Sequence, residues 1–175
     1  IGTYKRKTRY CFGKYVVIEK PFSLRGGFFS LNELVVAIKI KTEEEIEKMR
    51  KSCEVLSNAL AEVVKAVKAG TTGLALDKIA EQFIADHGGK PSFKGYNGFP
   101  NSLCISVNED VVHGIPTAIE YKDGDIISLD CGVYMNGYHG DMAYTVGIGN
   151  VKPEVQDLMR VTKESLYLGI QFATA

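Results

Sequence analysis

The sequence predicts an α+β fold: an antiparallel sheet built on one central hairpin and covered by long amphipathic helices. Three observations predict it. Residues 124–149, GDIISLDCGVYMNGYHGDMAYTVGIG, read as two strands joined at Asn136-Gly137, the dipeptide that most favours a two-residue turn. Residues 46–67 place apolar side chains at alternating steps of three and four, directly after a helix-start signal. A second helical stretch, from about Leu74 to His87, stops at Gly88-Gly89.

The hairpin sorts into two faces by its period of two. A two-residue turn sets Met135 opposite Tyr138, Tyr134 opposite His139 and Gly132 opposite Asp141. One face carries Ile127, Leu129, Cys131, Val133 and Met135, with Tyr138, Met142, Tyr144 and Val146 across from them, and is expected to be core. The other carries Ile126, Ser128, Asp130, Gly132 and Tyr134, opposed by His139, Asp141, Ala143 and Thr145. Asp130 and Asp141 are therefore diagonal neighbours, with Cβ atoms roughly 7–8 Å apart or less. Two readings of that pair stand side by side. Polar-out alternation is ordinary in an antiparallel sheet, which makes them solvated aspartates. Converging carboxylates beside small residues (Gly132, Ala143, Ser128) also suit divalent cations, which offset the repulsion between them.

The other elements follow in chain order. Residues 1–36 hold seven basic residues against Glu19 and Glu33, so the rest of the chain carries the acidic excess. Residues 1–35 are expected to be a basic extension of uncertain structure, either with little fold of its own or an arm that touches a polyanion such as ribosomal RNA. Residues 36–40 read as a short strand. Thr42-Glu43-Glu44-Glu45 is a capping box with Thr42 as N-cap and Glu45 at N3. Behind it, Ile46, Met49, Cys53, Leu56, Leu60, Val63 and Val67 mark the inner stripe of a helix ending near Gly70. In the next helix Leu76, Ile79, Phe83 and Ile84 face inward, and His87 complements the dipole at its end.

The loop before the strand at 102–107 spaces Phe93, Tyr96 and Phe99 three apart among glycines, as core plugs or as the lining of an apolar pocket. His113 precedes Gly114-Ile115-Pro116, a rigid turn, where a lone histidine faces solvent unless a site recruits it. Pro153 suits the first turn of a third helix, with Val155, Leu158, Met159, Thr162 and Leu166 expected inward. Residue 1 is isoleucine, the first methionine is Met49, and the last helical pattern runs on to Ala175, so the sequence reads as a piece of something longer.

Composition narrows the function classes. The 21 basic and 21 acidic residues balance, giving no general pull toward nucleic acid or anionic membrane. No apolar run approaches the roughly 18 residues needed to span a bilayer. Four scattered cysteines (Cys11, Cys53, Cys104, Cys131) without a CxxC pair suit reduced thiols in a cytoplasmic protein rather than a structural zinc site.

The segments IKTEEEIEKMR, FKGYNGFPNSLCISVNEDVVHGIP, KDGDIISLDCGVYMNGYHGDMAYTVGIG and TKESLYLGI together resemble type I methionine aminopeptidases, from about Val36 to the last residue. The Asp-x10-Asp hairpin is shared more widely, including by proline-specific aminopeptidases of the same pita-bread fold. NEDVVHGIP and the GYNGFPNSLC loop point to the methionine enzyme. The resemblance implies that residues 36–175 form the N-terminal part of such a catalytic domain, half of a pita-bread fold, with the C-terminal half absent. It implies two divalent metal ions (cobalt, manganese, iron or zinc) held in part by Asp130 and Asp141, with His113 assisting catalysis at the scissile amide. Phe93, Tyr96, Phe99 and Cys104 would line the pocket for the methionine side chain. The implied partners are nascent polypeptide N-termini, the ribosome as a candidate, no membrane, and the missing half of the fold. That half would supply a histidine and two glutamates to complete the site, plus a second histidine near the substrate, and none of that half is in this sequence. The alternative from a different class is a non-catalytic half that acts as a binding module.

Overall fold

The structure, a computed structural model, describes residues 16, 17 and 39–173. The basic segment and the start of the expected 36–40 strand fall largely outside those residues. Two short strands, β1 (Val16–Val17) and β2 (Lys39–Ile40), pair antiparallel.

Helix α1 spans Glu43–Ala66 and begins as its sequence dictates. The Thr42 hydroxyl accepts the Glu45 N–H at 3.2 Å, and the Glu45 carboxylate accepts the Thr42 N–H at 2.8 Å. Such a cap stabilises a helix by about 1 kcal/mol. The other oxygen of Glu45 accepts the Tyr138 hydroxyl at 3.0 Å, so the helix start is tied to the tip of the hairpin. Helix α2 spans Gly73–Asp86, capped by Thr72. At its end the His87 ring stacks on Phe83 and its Nδ1 lies 2.8 Å from the Phe83 carbonyl.

A four-stranded antiparallel sheet follows: β3 (Lys90–Pro91), β4 (Leu103–Val107), β5 (Ile126–Met135) and β6 (Tyr138–Gly147). β5 is central. β6 runs along one side of it for its whole length, while β4 and then β3 pair along the other. The turn between β5 and β6 is Asn136-Gly137 with φ of 54° and 85°, both left-handed, as a two-residue hairpin turn requires. Met135 pairs with Tyr138 and Gly132 with Asp141, the expected register.

Helices α1 and α2 cover one face of this sheet. Leu56, Leu60, Val63, Leu76, Ala80 and Ile84 meet Leu103, Ile105, Ile127, Leu129, Cys131 and Val133, all buried. Burying each of the larger side chains contributes roughly 1.5–3 kcal/mol. Two expectations for the core are corrected. Met142 and Tyr144 lie on the helix-facing side of β6 yet are 36% and 49% exposed. Helix α1 packs on β5 and on the hairpin-tip end of β6, at Tyr138 and Gly140, whereas Met142 and Tyr144 lie further along β6 and stay open to solvent. The third helix, α3 (Pro153–Phe172), starts at its proline but buries no residue. Val155 and Met159 are half-buried near its root, whereas Leu158, Thr162 and Leu166 face open space instead of a core. Among the described residues nothing packs over that stripe.

Candidate metal centre

The face of the sheet away from the helices carries the polar set. β4 pairs with β5 so that Cys104 lies opposite Asp130 and Ser106 opposite Ser128. On the other side Asp130 lies opposite Ala143, Ser128 opposite Thr145 and Gly132 opposite Asp141. Cys104, Asp130 and Ala143 thus form one row across three strands, and Asp141 stands diagonally beside it. The neighbouring row closes with a 2.9 Å hydrogen bond between the Ser128 and Thr145 hydroxyls.

The electrostatics follow from that crowding. Burial pushes the Asp130 carboxyl above its ordinary value. The Asp141 charge, and a hydrogen-bonding contact between the two carboxyls, push it the same way, while nearby His113 pulls it down. Cys104, buried beside the pair, is pushed up to about 11 by desolvation and by the two aspartates. Its thiol stays protonated, so it is an apolar lining group rather than a nucleophile.

Small residues let the surroundings close in. A Cβ on Gly132 would come within 2.7 Å of Ser92 Cβ and 2.8 Å of Phe93 Cε1, so the Phe93 ring lies directly over the sheet opposite Asp141. Ser92 anchors the loop there. Its N–H donates to the Gly132 carbonyl at 2.9 Å, and its hydroxyl meets His139 Nδ1 at 2.9 Å. His139 in turn packs against the Tyr134 ring. His113 is exposed with φ of 60°, a left-handed conformation that costs a non-glycine residue about 1–2 kcal/mol. It is held by its neighbour, because the Gly114 carbonyl accepts the Ile105 N–H at 2.8 Å and the Gly114 N–H donates to the Ser106 hydroxyl at 3.2 Å.

The structure therefore brings together Asp130, Asp141, Cys104, His113 and Phe93. It does not gather all the loop aromatics. Tyr96, on a short 3-10 turn, is 71% exposed, and Phe99 is half-buried at the end of the same turn. A cavity of about 300 Å³ lies elsewhere, between β4 and the loop bearing Ile115, Ile119 and Tyr121. Ser92 was not singled out in the sequence, and only its place next to Phe93 could have flagged it.

The donor set fits part of a divalent cation site. Two carboxylates face each other, and no lysine or arginine among the described residues pairs with either. A cation would offset the burial and the Asp141 repulsion that together raise Asp130. Among the described residues no group of three or more histidine, cysteine, aspartate or glutamate side chains forms a metal-holding cluster, so the two aspartates supply a partial set. No helix among them is long and apolar enough to cross a membrane.

The sequence and the fold both have relatives. The profile described as Metallopeptidase family M24 matches residues 47–175. A methionine aminopeptidase of Clostridium perfringens is 52% identical over 136 residues, 78% of this chain and 55% of that protein. Methionine aminopeptidase 1 of Bacillus subtilis is 50% identical over 133 residues, 76% of this chain and 54% of that one. Among solved structures, the methionine aminopeptidase of Thermotoga maritima superposes with a TM-score of 0.71 at 40% identity, covering 73% of this chain and 52% of that one. A prolidase from Pyrococcus furiosus, at 23% identity and a TM-score of 0.63, shares the fold. The chain spans about half the length of the curated relatives it matches.

Proposed function

The chain belongs to metallopeptidase family M24, and on that premise we propose that residues 36–175 are the N-terminal part of a methionine aminopeptidase catalytic domain. The activity is removal of the N-terminal methionine from nascent polypeptides, in the cytoplasm and with the ribosome as a candidate neighbour. The observation that carries the reading is the juxtaposition of Asp130 and Asp141 on one face of the hairpin, crowded together and with no cationic side chain to offset them. The identity of about 50% to proteins named methionine aminopeptidase supports the substrate class.

In this reading Asp130 and Asp141 would hold two divalent cations, from among cobalt, manganese, iron and zinc. When bound, such ions polarise the carbonyl of the first peptide bond and fix the free amine. The chain's own residues do the rest. His113, locked by Gly114 on the outer edge of β4, offers a ring nitrogen to the scissile amide. Phe93, over Gly132, and Cys104, beside Asp130, bound the space for an unbranched thioether side chain, with Tyr96 and Phe99 of the same loop as its further lining. Cys104 contributes an uncharged thiol wall.

Two experiments test this. Titration of the chain with Co²⁺ is expected to give a binding signal lost on Asp130→Asn and on Asp141→Asn; binding unchanged in both variants refutes the metal assignment. Joining the chain to the matching remainder of the Clostridium perfringens relative is expected to give an enzyme that cleaves Met-Ala-Ser. Preference for an X-Pro peptide would instead make this a proline-specific member of the same fold.

A further inference from the structure

Asp77 is a charged residue in the inward row of α2, with Gly73, Leu76, Ala80 and Ile84, and is only 6% exposed. No lysine or arginine among the described residues pairs with it. Lys94, the cation that feels its charge, is paired with Glu81 instead, and a buried carboxylate without a direct ion pair is costly unless hydrogen bonds satisfy it. Here they do. One oxygen accepts the backbone N–H groups of Ser102 and Leu103, each at 2.8 Å, and the other accepts the Asn101 side-chain amide at 2.8 Å. Hydrogen bonds to an ionised acceptor are about twice as strong as neutral ones.

What Asp77 holds is the beginning of β4. On the edge of β4 away from β5, Leu103 donates to Asp77 and Ile105 donates to the Gly114 carbonyl. A side chain and a loop thus close an edge that no strand among the described residues covers. The same short stretch separates Phe99 from Cys104, and Cys104 must stay opposite Asp130. A slip of one residue would turn Cys104 into the core and Leu103 onto the polar face.

We propose that Asp77 is a positioning residue for the candidate metal centre: its buried carboxylate sets the start and register of β4, holding Cys104 beside Asp130 and the His113 loop on the next amide of the same edge. This rests on the reading of Asp130 and Asp141 as metal ligands. In the 175-residue chain, Asp77→Ala removes all three acceptor contacts. Asp77→Asn keeps an oxygen for the two backbone amides, and Asn101 can rotate its own amide to match.

Three measurements decide it: amide hydrogen exchange, alkylation of Cys104 read by peptide mass spectrometry, and affinity for Co²⁺ alone. For Asp77→Ala, exchange at Ser102, Leu103 and Ile105 and alkylation of Cys104 are expected to rise roughly tenfold. The amides of Leu56 and Leu60 in α1 should keep wild-type protection, and Co²⁺ affinity should fall by about 10-fold or more. Asp77→Asn should restore all three. Exchange that rises equally in α1 and β4, unchanged Cys104 alkylation, or unchanged Co²⁺ affinity overturns the proposal. If Asp77→Ala does not fold, Asp77→Asn decides: wild-type protection at Ser102 and Leu103 supports it, and loss of protection there overturns it. Wild-type Co²⁺ binding that ignores Asp130→Asn refutes the metal reading alone, and the exchange and alkylation results then judge the register role of Asp77.

Discussion

Gly140→Ala is a demanding test of how the hairpin is seated, because it sits one residue before Asp141. The backbone at Gly140 is not in the left-handed region, so alanine can adopt it without strain. On that ground alone the substitution should stabilise the protein by about 0.4–1 kcal/mol, through a less flexible unfolded chain. Packing opposes it. The new Cβ would lie 3.1 Å from the Cys53 nitrogen, 3.2 Å from its Cα and 3.2 Å from its Sγ. Ordinary carbon contacts need about 3.5–4.0 Å, so α1 and β6 must separate by a few tenths of an ångström. Two of the three atoms are helix backbone, which cannot rotate away. Overpacking of this kind costs about 1–3 kcal/mol. The expected net effect is therefore destabilisation by about 1–2 kcal/mol, read as a lower urea midpoint with an unchanged slope. Co²⁺ affinity should fall with it, since β6 carries Asp141 away from Asp130. Adding Cys53→Ala should recover only a minor part, because it removes one contact of three. A Gly140→Ala protein as stable as wild type would refute the close helix–hairpin contact.

Other perturbations probe separate links. Ser52 is fully buried, and its hydroxyl lies 3.0 Å from the Met135 carbonyl and 3.1 Å from that of Tyr138, the pair that closes the hairpin; Ser52→Ala should cost about 1 kcal/mol in chemical denaturation, the scale of one buried hydrogen bond. Glu45 is held down to about 2 by the Thr42 N–H first and then by the Tyr138 hydroxyl, from an ordinary 4.5. Because the folded value is depressed, its contribution is complete above pH 4.5 and disappears as pH falls toward 2. The melting-temperature gap between wild type and Glu45→Gln should close across that window, and a gap independent of pH would exclude the assignment. A polypeptide of these 175 residues is expected to cleave Met-Ala-Ser with added Co²⁺ or Mn²⁺ no faster than the metal-only blank, since two carboxylates make only part of a coordination sphere. Turnover that vanishes on Asp130→Ala would contradict this.

Local and periodic features are legible in the residues alone. The Asn136-Gly137 turn needs two left-handed residues, and that need alone sets the register that puts Asp130 and Asp141 on one face. The cap at Thr42 and Glu45 and the buried stripe of α1 follow from spacing in the same way. Where long-range partners fall depends on how the elements pack. Periodicity assigns Met142 and Tyr144 to a core face, but how far α1 and α2 extend over the sheet leaves them exposed. The same pattern in α3 has no described partner to bury it. Tyr96 and Phe99 follow the spacing of Phe93, yet it is Phe93 that lies against Gly132, a close approach that depends on a glycine in a distant strand. Nothing in helix periodicity marks Asp77, whose meaning comes from the two strand amides it meets.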